Sequence, residues 1–498
     1  MSTRPTTRPP TLGEALVPVV ALMVFLAASV IDIKSLPEVP VLTPLLRALA
    51  SVPFAGSVLE ASIPTQIPLV AASAVAALMA LRLGWGWHDI EQSFLDGIKM
   101  SLGACLILFA VGMLISTWIV GGIVPMLIVY GLELISPHYF PVAVCACCAV
   151  VSLATGSSWT TAGTVGIAFI GIGAGLGVPL PLVAGAIVSG SYFGDKMSPL
   201  SDTTNLAPAV AGSNLFEHVR HMAWTTGPSL LIALVLYWLV GLRYGGSAAP
   251  LESVQAIAGT LSRSYVITPW LFLPPVLVLV MVVLKVPALP AVLGGAVLGG
   301  ACAGLFQGAS LATILETAYS GVTAETGVKA VDELLSRGGM SGMFGTVAII
   351  FCAMCFGGVM ERSGMLGVIA AAILRLARGV GGLVTATVAT CVGCNVAAPD
   401  QYLSIVVPGR MYRDAYRRAG LHPKNLSRAL EDAGTLTSPL VPWNSCGAFM
   451  AATLGVGALA YAPWAFLNLI NPLVSLLYGW TGWTMEKLPP ERRPAPDA

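Results

Sequence analysis

Long apolar runs alternate with short polar stretches along almost the whole chain. A run of about 20 apolar residues is enough to cross a bilayer as a helix. Other stretches carry the Gly, Pro and small polar residues that interrupt membrane helices. The pattern predicts an all-α polytopic membrane protein with about 12 transmembrane segments. Broken or re-entrant pieces are predicted at 123–136, 158–177, 198–212, 396–409 and 438–457.

Composition supports this interpretation. Of the 498 residues, 56% are hydrophobic and 10% are charged, whereas about a quarter of the residues of a soluble domain are charged. The mean hydropathy is +0.84. A net charge of +1 creates no basic field for nucleic acid. The expected surroundings are therefore a lipid bilayer, and no nucleic-acid partner is expected.

The cysteines do not change this picture. Two pairs have CxxC spacing, Cys352/Cys355 and Cys391/Cys394, but both lie inside apolar runs. Free cysteine in such a setting behaves as a small hydrophobic side chain. We expect no zinc site and no cofactor.

The two halves of the sequence share short motifs when the chain is aligned with itself at a shift of 240 to 242 residues. A shift of 240 aligns the motif Gly-x-x-x-Ser-Pro-Leu at 194–200 with the same motif at 434–440, and a shift of 242 aligns Phe109 with Phe351. Two stretches that agree on nearly one offset indicate an internal repeat. We predict a first repeat at 1–246, a connecting loop at 247–264, a second repeat at 265–485 and a cytoplasmic tail at 486–498.

Basic residues in the loops predict the orientation. Residues 410–428 contain six Arg or Lys and one acid, the equivalent stretch 170–188 contains no charge, and 309–339 is mainly acidic. Because Lys and Arg concentrate in cytoplasmic loops, the two repeats are predicted to have opposite topology, with both termini cytoplasmic. Inverted repeats with broken helices are typical of secondary transporters, which bind their substrate near the bilayer midplane.

The stretch 190–212 concentrates polar residues between apolar runs. Removal from water disfavours the charged form of a carboxylate, so a buried carboxylate is stabilised by a bound proton or a bound cation. Na⁺ prefers oxygen ligands. We therefore predict that Asp202 binds either Na⁺ or H⁺. The neighbouring oxygen ligands are predicted to be Ser198, Ser201, Thr203, Thr204 and Asn205.

Asp195 is the second acid of this stretch and a further candidate for ion binding. It precedes Asp202 by seven residues and therefore lies on a similar helical face. A local ion pair with Lys196 is the structural alternative for Asp195. A solvated carboxylate at the membrane edge is the alternative for Asp202.

The second repeat supplies mainly neutral ligands. Pro442 stands where the first repeat has Asp202, so the predicted ion site is asymmetric, with Na⁺ held by Asp202, Asn205 and Asn444. Glu431 and Asp432 are open to two interpretations, ion binding, or capping and pairing with the basic loop. The remaining candidates in both repeats are Ser157, Ser158, Asn395, Asp400, Ser438 and Ser445.

Two long motifs carry a family resemblance. The chain has Asp-Lys-Met-Ser-Pro-Leu-Ser-Asp-Thr-Thr-Asn at 195–205, Asp-Gln-Tyr-Leu-Ser-Ile-Val-Val-Pro-Gly-Arg-Met at 400–411 and Pro-Trp-Asn-Ser-Cys-Gly-Ala at 442–448. These motifs closely resemble the signatures of the NhaC-type sodium/proton antiporters. The resemblance implies inverted repeats with re-entrant hairpins and a cation/proton exchanger of the bacterial plasma membrane.

Two other functions were weighed against Na⁺/H⁺ exchange. Relatives of this family exchange organic acids such as malate and lactate, but the polar clusters lack the arginine that binds carboxylates well, which favours a cation. An intramembrane aspartyl protease needs a Tyr-Asp dipeptide, which the sequence lacks. We predict a transporter that is not an enzyme, and a homodimer remains an open alternative.

Overall fold

The computed structural model describes residues 7–30, 64–134, 136–244, 251–284, 286–398 and 400–489. Part of the predicted tail, residues 490–498, therefore lies outside the described residues. The helices of the first half are α1 Leu12–Val30, α2 Gln66–Arg82, α3 Trp87–Val120, α4 Ile123–Leu134, α5 Phe140–Thr155, α6 Ser158–Thr161, α7 Ile167–Gly175, α8 Leu180–Met197, α9 Asp202–Ala211 and α10 Leu215–Leu242.

The second half is also helical. The predicted connecting loop 247–264 contains a helix, because apolar residues recur at helical spacing there. The helices are α11 Leu251–Ser264, α12 Leu273–Val283, α13 Ala288–Gln307, α14 Leu311–Ser320, α15 Lys329–Leu335, α16 Phe344–Arg362, α17 Met365–Leu376, α18 Gly379–Ala397, α19 Gln401–Arg418, α20 Pro423–Leu430, α21 Ser445–Leu454, α22 Ala458–Tyr461 and α23 Phe466–Thr481.

Short non-α segments join some of these helices. A π-helical turn at Ala162–Gly166 connects α6 to α7, and a second at Glu431–Thr435 follows α20. Within the described residues, extended pairing is limited to one isolated bridge between Leu421 and Lys487. The expectation of an all-α chain is confirmed for this part of the protein.

Several helices can span a membrane. Helices α3, α10, α13 and α18, and the segment Ser341–Arg362 that contains α16, are long and apolar enough, which makes five spans among the described residues. Two further pairs are bent, by 96° at α11–α12 and by 87° at α21–α22. Counting each bent pair as one span gives up to seven, in keeping with a polytopic membrane protein.

The predicted helix breaks are found in three places. Residues 198–201 separate α8 from α9, Ala398 follows α18 and Asp400 precedes α19, and residues 441–444 precede α21. In contrast, 158–177 is almost continuously helical, and the break lies just before it at Gly156–Ser157. Gly156 takes a positive φ of 70° there, which favours glycine.

Helix ends recur at a constant distance along the chain. Val120 and Arg362 end α3 and α16, and Thr155 and Ala397 end α5 and α18, each pair 242 residues apart. Helices α9 and α21 begin and end 243 residues apart. These distances are close to the offset of 240 to 242 residues that the sequence motifs indicated.

The closest helix packing in the interior involves α3 and α8. Helix α3 packs between α13 and α16, and α5 packs along α8. The rings of Trp159 on α6 and Phe449 on α21 stack at 4.0 Å between centroids, with 17° between their planes. The broken segments of the two halves therefore meet in the interior.

Candidate functional site

Two helix breaks end at a polar N-cap residue. Before α6, the Ser157 hydroxyl accepts a hydrogen bond from Thr160 N at 3.2 Å. Before α19, the Asp400 carboxylate accepts from Tyr402 N at 2.8 Å and from Leu403 N at 3.2 Å. The first N–H groups of a helix have no partner within the helix. These side chains therefore stabilise the two helix starts.

Hydroxyl groups surround the carboxylate of Asp195. This residue lies in the last turn of α8 and is 6% exposed. Its Oδ2 accepts from the Ser158 hydroxyl at 2.5 Å, and its Oδ1 accepts from the Ser201 hydroxyl at 2.6 Å. The Ser201 and Thr203 hydroxyls are 3.1 Å apart. One carboxylate with neutral hydroxyl oxygens around it suits a small hard cation.

A cavity of about 620 Å³ lies in front of Asp195. The carboxylates of Asp195, Asp202 and Asp400 line it, and its lining within the described residues includes no Lys, Arg or His. Helix α3 and the start of α13 contribute the more apolar wall. The cavity is therefore negatively charged when these acids are ionised. The predicted site residues found in its lining are Ser157, Ser158, Asp195, Asp202, Thr203, Asp400 and Ser445.

Three predicted residues of the first repeat lie outside this lining and bond to the backbone. Thr204 donates to two carbonyls of α8, at 2.9 and 2.8 Å. The Asn205 amide donates to two carbonyls of the 198–201 segment, at 2.9 and 2.7 Å. The Ser198 hydroxyl accepts from Leu200 N at 3.3 Å. These contacts shape the break between α8 and α9.

Three predicted residues of the second repeat have similar roles. The Asn395 amide donates to Gly434 O at 2.8 Å, and the Asn444 amide donates to the Asn395 side chain at 3.2 Å. Asn444 also caps α21, and Ser438 donates to Gln401 Oε1 at 3.1 Å.

The predicted Na⁺ ligands are not brought together. Asp202 is exposed at the cavity wall, whereas Asn205 and Asn444 lie outside the cavity lining and bond within the protein.

Lys196 pairs with Asp432 rather than with its sequence neighbour Asp195. Both side chains are fully buried. Asp432 Oδ1 also accepts from the Thr225 hydroxyl and the Asn471 amide, each at 2.8 Å. The local pair considered for Asp195 is therefore wrong.

The basic stretch does contact Asp432, because Arg428 Nε lies 3.9 Å from Asp432 Oδ2. One of the two interpretations of Asp432 was that it pairs with the basic loop, and its contact with Arg428 agrees with this in part. The cation that donates a hydrogen bond to Asp432 is, however, Lys196 from the first half of the chain.

Comparison with known proteins places the chain in a family. Residues 190–483 match the model of the Na⁺/H⁺ antiporter family. The chain is 39% identical over 417 residues to the Na⁺/H⁺ antiporter NhaC of Alkalihalophilus pseudofirmus, which covers 84% of this chain and 90% of that protein. The chain belongs to the Na⁺/H⁺ antiporter family. The resemblance read from the sequence motifs is thereby confirmed.

Other relatives of this antiporter family member are named for different transported molecules. It is 40% identical over 420 residues to the malate-2H⁺/Na⁺-lactate antiporter of Bacillus subtilis, covering 84% of this chain and 90% of that one. It is 38% identical over 496 residues to the arginine/ornithine antiporter ArcD of Halobacterium salinarum, covering 98% and 96%. Similar identity thus extends to proteins named for different cargoes.

Some residues of the site in this antiporter family member were not identified as candidates. Trp159, Gln401 and Tyr402 line the cavity beside the predicted residues. Gln401 Oε1 accepts from Ser438 at 3.1 Å and from the Cys446 thiol at 3.0 Å. Their position within two residues after the capping residues Ser157 and Asp400 was a usable signal, because both helix starts adjoin the same cavity.

Proposed function

We propose that this protein exchanges Na⁺ for H⁺ across the membrane by alternating access. The observation that carries the proposal is the cavity, which three carboxylates line with no Lys, Arg or His among its described lining residues. Such a cavity attracts cations and repels anions. Two relatives named as Na⁺/H⁺ antiporters, at 39% and 37% identity, support the same cargo.

Asp195 is the acid that we propose to hold either ion. A carboxylate out of water is stabilised by a proton or by a metal ion. The hydroxyls of Ser158 and Ser201, at 2.5 and 2.6 Å, supply neutral oxygen ligands. A proton and Na⁺ would use the same carboxylate oxygens and exclude each other. Asp202, exposed at the wall, attracts the cation into the cavity.

The two broken halves form inverted repeats in this proposal. The helix ends that recur 242 to 243 residues apart support the repeat, and the basic stretch 410–428 supports opposite orientations. About 12 spans, cytoplasmic termini and a bacterial plasma-membrane location complete the proposal. Rocking of one repeat against the other would expose Asp195 to each side in turn.

A small organic cation is the second candidate cargo. The cavity volume of about 620 Å³ falls in the range of about 300–1,000 Å³ that is typical of sites for small molecules. It is lined by aromatic side chains as well as acids, including Trp159 and Tyr402, and aromatic faces bind organic cations. The relative named as an arginine/ornithine antiporter fits this alternative.

Exchange of malate for lactate is less compatible with the cavity. An organic acid would face three carboxylates with no basic side chain in the described lining. Amides at helix N-termini can bind anions, but those at the starts of α19 and α21 already bond to Asp400 and Asn444. The relative with that name nevertheless makes organic acids a necessary arm of the test.

The test uses purified protein in proteoliposomes with a pH-sensitive dye inside. An inward Na⁺ gradient is expected to move protons outward, and an equal choline gradient or empty liposomes should give no signal. Parallel vesicles receive labelled arginine, ornithine, malate or lactate. Proton movement that requires malate or lactate would contradict cation exchange. Exchange of arginine without any response to Na⁺ would show that the organic cation, and not Na⁺, is the cargo.

A further inference from the structure

A second group of ionisable side chains lies in the interior, outside the cavity lining. It consists of Lys196, Arg428, Glu431 and Asp432, each at most 1% exposed, and we call it the buried charge cluster. It joins the two halves of the chain, since Lys196 belongs to α8 and the other three follow one another around α20 and the π turn. Ionisable groups inside a membrane protein are costly and commonly mark ion or proton pathways.

Asp432 is the best-satisfied acid of the cluster. Lys196 donates a hydrogen bond to its Oδ1, and Thr225 and Asn471 donate to the same oxygen at 2.8 Å each. Arg428 Nε lies 3.9 Å from its other oxygen. Donors and positive charges around one carboxylate keep it ionised. Asp432 is therefore a fixed negative charge.

Glu431 is the unsatisfied acid of the cluster. It is 0% exposed, and neither of its carboxyl oxygens has a hydrogen-bond partner among the described residues. When ionised, Glu431 would bring the cluster to zero net charge, but its buried charge would lack donors, which is unfavourable. When protonated, it would avoid that cost and leave the cluster with one net positive charge. Burial without donors therefore favours the protonated form of Glu431, and the positive charges of the cluster favour the ionised form.

The cavity and the cluster are adjacent along α8. Asp195 faces the cavity and the next residue, Lys196, faces the cluster. The Thr204 hydroxyl donates to the backbone carbonyls of both residues, at 2.9 and 2.8 Å. Asp195 and Lys196 both act electrostatically on Glu431. A cation that neutralises Asp195 thus adds positive charge beside the cluster, which favours the ionised form of Glu431.

We propose that Glu431 is a second proton-binding site, separate from Asp195, and that its proton is released when a cation occupies the cavity. This inference rests on the proposed function, because it needs a cation at Asp195. Linkage makes the effect mutual, so a proton on Glu431 weakens cation binding in the cavity. The cluster therefore couples the two ions through electrostatics, without direct competition for one oxygen.

The step balances in protons and charge. The O–H bond of Glu431 breaks, its electron pair stays on the carboxylate, and the proton passes to water on the side to which the protein is then open. Lys196 and Arg428 compensate the new negative charge. When Na⁺ binds to an ionised Asp195, the cluster goes from one net positive charge to none while the cavity gains one positive charge. The sum of the two sites is unchanged.

Other titratable groups surround the cluster. His218 on α10 is 0% exposed, and neither of its ring nitrogens has a partner among the described residues. The faces of α9 and α23 that pack here contribute hydroxyls and amides such as Thr204 and Asn471. The groups able to change charge are Asp195 on α8, His218 and His221 on α10, Cys391 on α18, Tyr416 on α19 and Tyr478 on α23.

The test counts protons released for each Na⁺ bound. Purified full-length protein in weakly buffered detergent solution receives NaCl, a pH indicator reports released protons, and calorimetry reports bound Na⁺. The wild-type protein is expected to release up to one proton per Na⁺ and to keep releasing protons at pH values at which Asp195 is already ionised, because Glu431 then supplies them. Glu431→Gln is expected to bind Na⁺ with a smaller pH dependence and to release no proton at those pH values. Asp414→Asn, an exposed acid on α19, is the matched control and should keep the wild-type count.

Each outcome decides the inference. An equal proton count in Glu431→Gln and wild type overturns it, whereas a wild-type protein that binds Na⁺ without releasing protons overturns the proposed function itself. If Glu431→Gln does not fold, infrared difference spectra of wild type and Glu431→Asp are compared. Na⁺ should remove a protonated-carboxyl band whose frequency differs between the two proteins. The absence of such a shifted band also overturns the inference.

Discussion

The three carboxylates that face the cavity are held in three different ways. Asp195 is 6% exposed and accepts from two hydroxyls. Asp400 is 3% exposed and accepts from two backbone N–H groups at the start of α19. Asp202 is exposed at the start of α9. A shared position on one cavity therefore does not imply a shared role.

Asparagine at position 195 is expected to abolish exchange. Asp195→Asn removes the charge that holds Na⁺ and the group that holds the proton, so Na⁺-driven proton movement should fall by at least about 100-fold, the loss expected when a few kcal/mol of interaction are removed. Asp202→Asn should retain exchange with several-fold weaker Na⁺ affinity, because it removes only attraction into the cavity. Initial rates in proteoliposomes over a range of Na⁺ concentrations measure both. The reverse order would assign the exchange to Asp202.

Substitutions at position 400 separate capping from ion binding. Asn caps helices as well as Asp does, whereas Ala does not. Asp400→Ala should therefore lower stability by about 1 kcal/mol, and Asp400→Asn should leave both stability and most of the exchange activity intact. Thermal unfolding in detergent and proteoliposome assays provide the readouts. A complete loss of exchange in a stable Asp400→Asn protein would show that its charge binds the cargo.

At the scale of elements, close approach of α5 and α8 brings Asp195 to its hydroxyl partners. A Cβ atom at Gly190 would lie 2.3 Å from Cys145 O, and one at Gly194 would lie 2.1 Å from Leu153 N. Both obstacles are backbone atoms, which cannot move aside as a flexible side chain can. Small residues let membrane helices pack this closely, and Gly194 directly precedes Asp195.

Alanine at position 194 is expected to disturb this packing. Gly194→Ala should destabilise the protein by about 1–3 kcal/mol, the cost of overpacking, and should lower Na⁺ affinity by displacing Asp195. Gly393→Ala in α18 is the matched control, because its Cβ meets nothing within 4 Å. Melting temperature and Na⁺ titration are measured for both. Equal behaviour of the two variants would argue against a close α5–α8 contact.

The segment after α23 docks on the turn between α19 and α20. His422 N donates to Glu486 O at 2.9 Å, and Leu488 N donates to Gly420 O at 2.8 Å. The Lys424 ammonium lies 2.5 Å from the Glu486 carboxylate. The hydrogen bond from Lys424 lowers the pKa of Glu486 from its ordinary value of 4.5. This contact ties the end of the described chain to the basic stretch.

The Lys424–Glu486 pair gives a small pH-dependent contribution. A lowered folded-state pKa means that the stabilisation is present above about pH 4.5 and is lost as the pH falls through the folded value. Lys424→Gln should cost at most about 1 kcal/mol at pH 7, because Glu486 is largely exposed, and progressively less as the pH falls below about 4.5. Melting temperatures at pH 7 and at a series of acidic pH values test this, with Lys487→Gln as control. A larger effect at low pH would contradict the assignment.

At the scale of the whole molecule, loop charge and the docked segment predict one orientation. Residues 410–428 are basic, 309–339 are mainly acidic, and the segment 486–488 contacts the basic side. Lys and Arg remain on the cytoplasmic side of bacterial membranes. The basic stretch and the C-terminal segment should therefore share the cytoplasm, and the acidic loop should lie outside.

Cysteine labelling tests this orientation. An impermeant maleimide is expected to label Glu316→Cys in intact cells, and Arg417→Cys and Lys487→Cys only after permeabilisation, since all three positions are exposed. A parent with Cys147→Ala lowers background from that exposed native thiol. Labelling of Arg417→Cys in intact cells would overturn the topology, and with it the argument for inverted repeats.

Local features of the site were predictable because they depend on neighbours in the chain. The breaks before α9 and α19 were predictable from the Pro residues that interrupt these apolar stretches, and a polar residue caps the start of α19. The sequence also indicated that Asp195, Asp202 and Asp400 belong to one polar region, because charged residues in an apolar chain avoid lipid. The cavity lining includes all three.

The sequence by itself determined the class of the protein, since apolar runs of bilayer length permit little else, and its motifs determined the family. Only the tertiary structure decided which acid meets the hydroxyls and which meets the lysine. Asp195 and Lys196 are consecutive, yet successive residues of a helix point about 100° apart, so one faces the cavity and the other reaches Asp432. Contacts across more than 200 residues depend on how helices pack, and no local pattern encodes them.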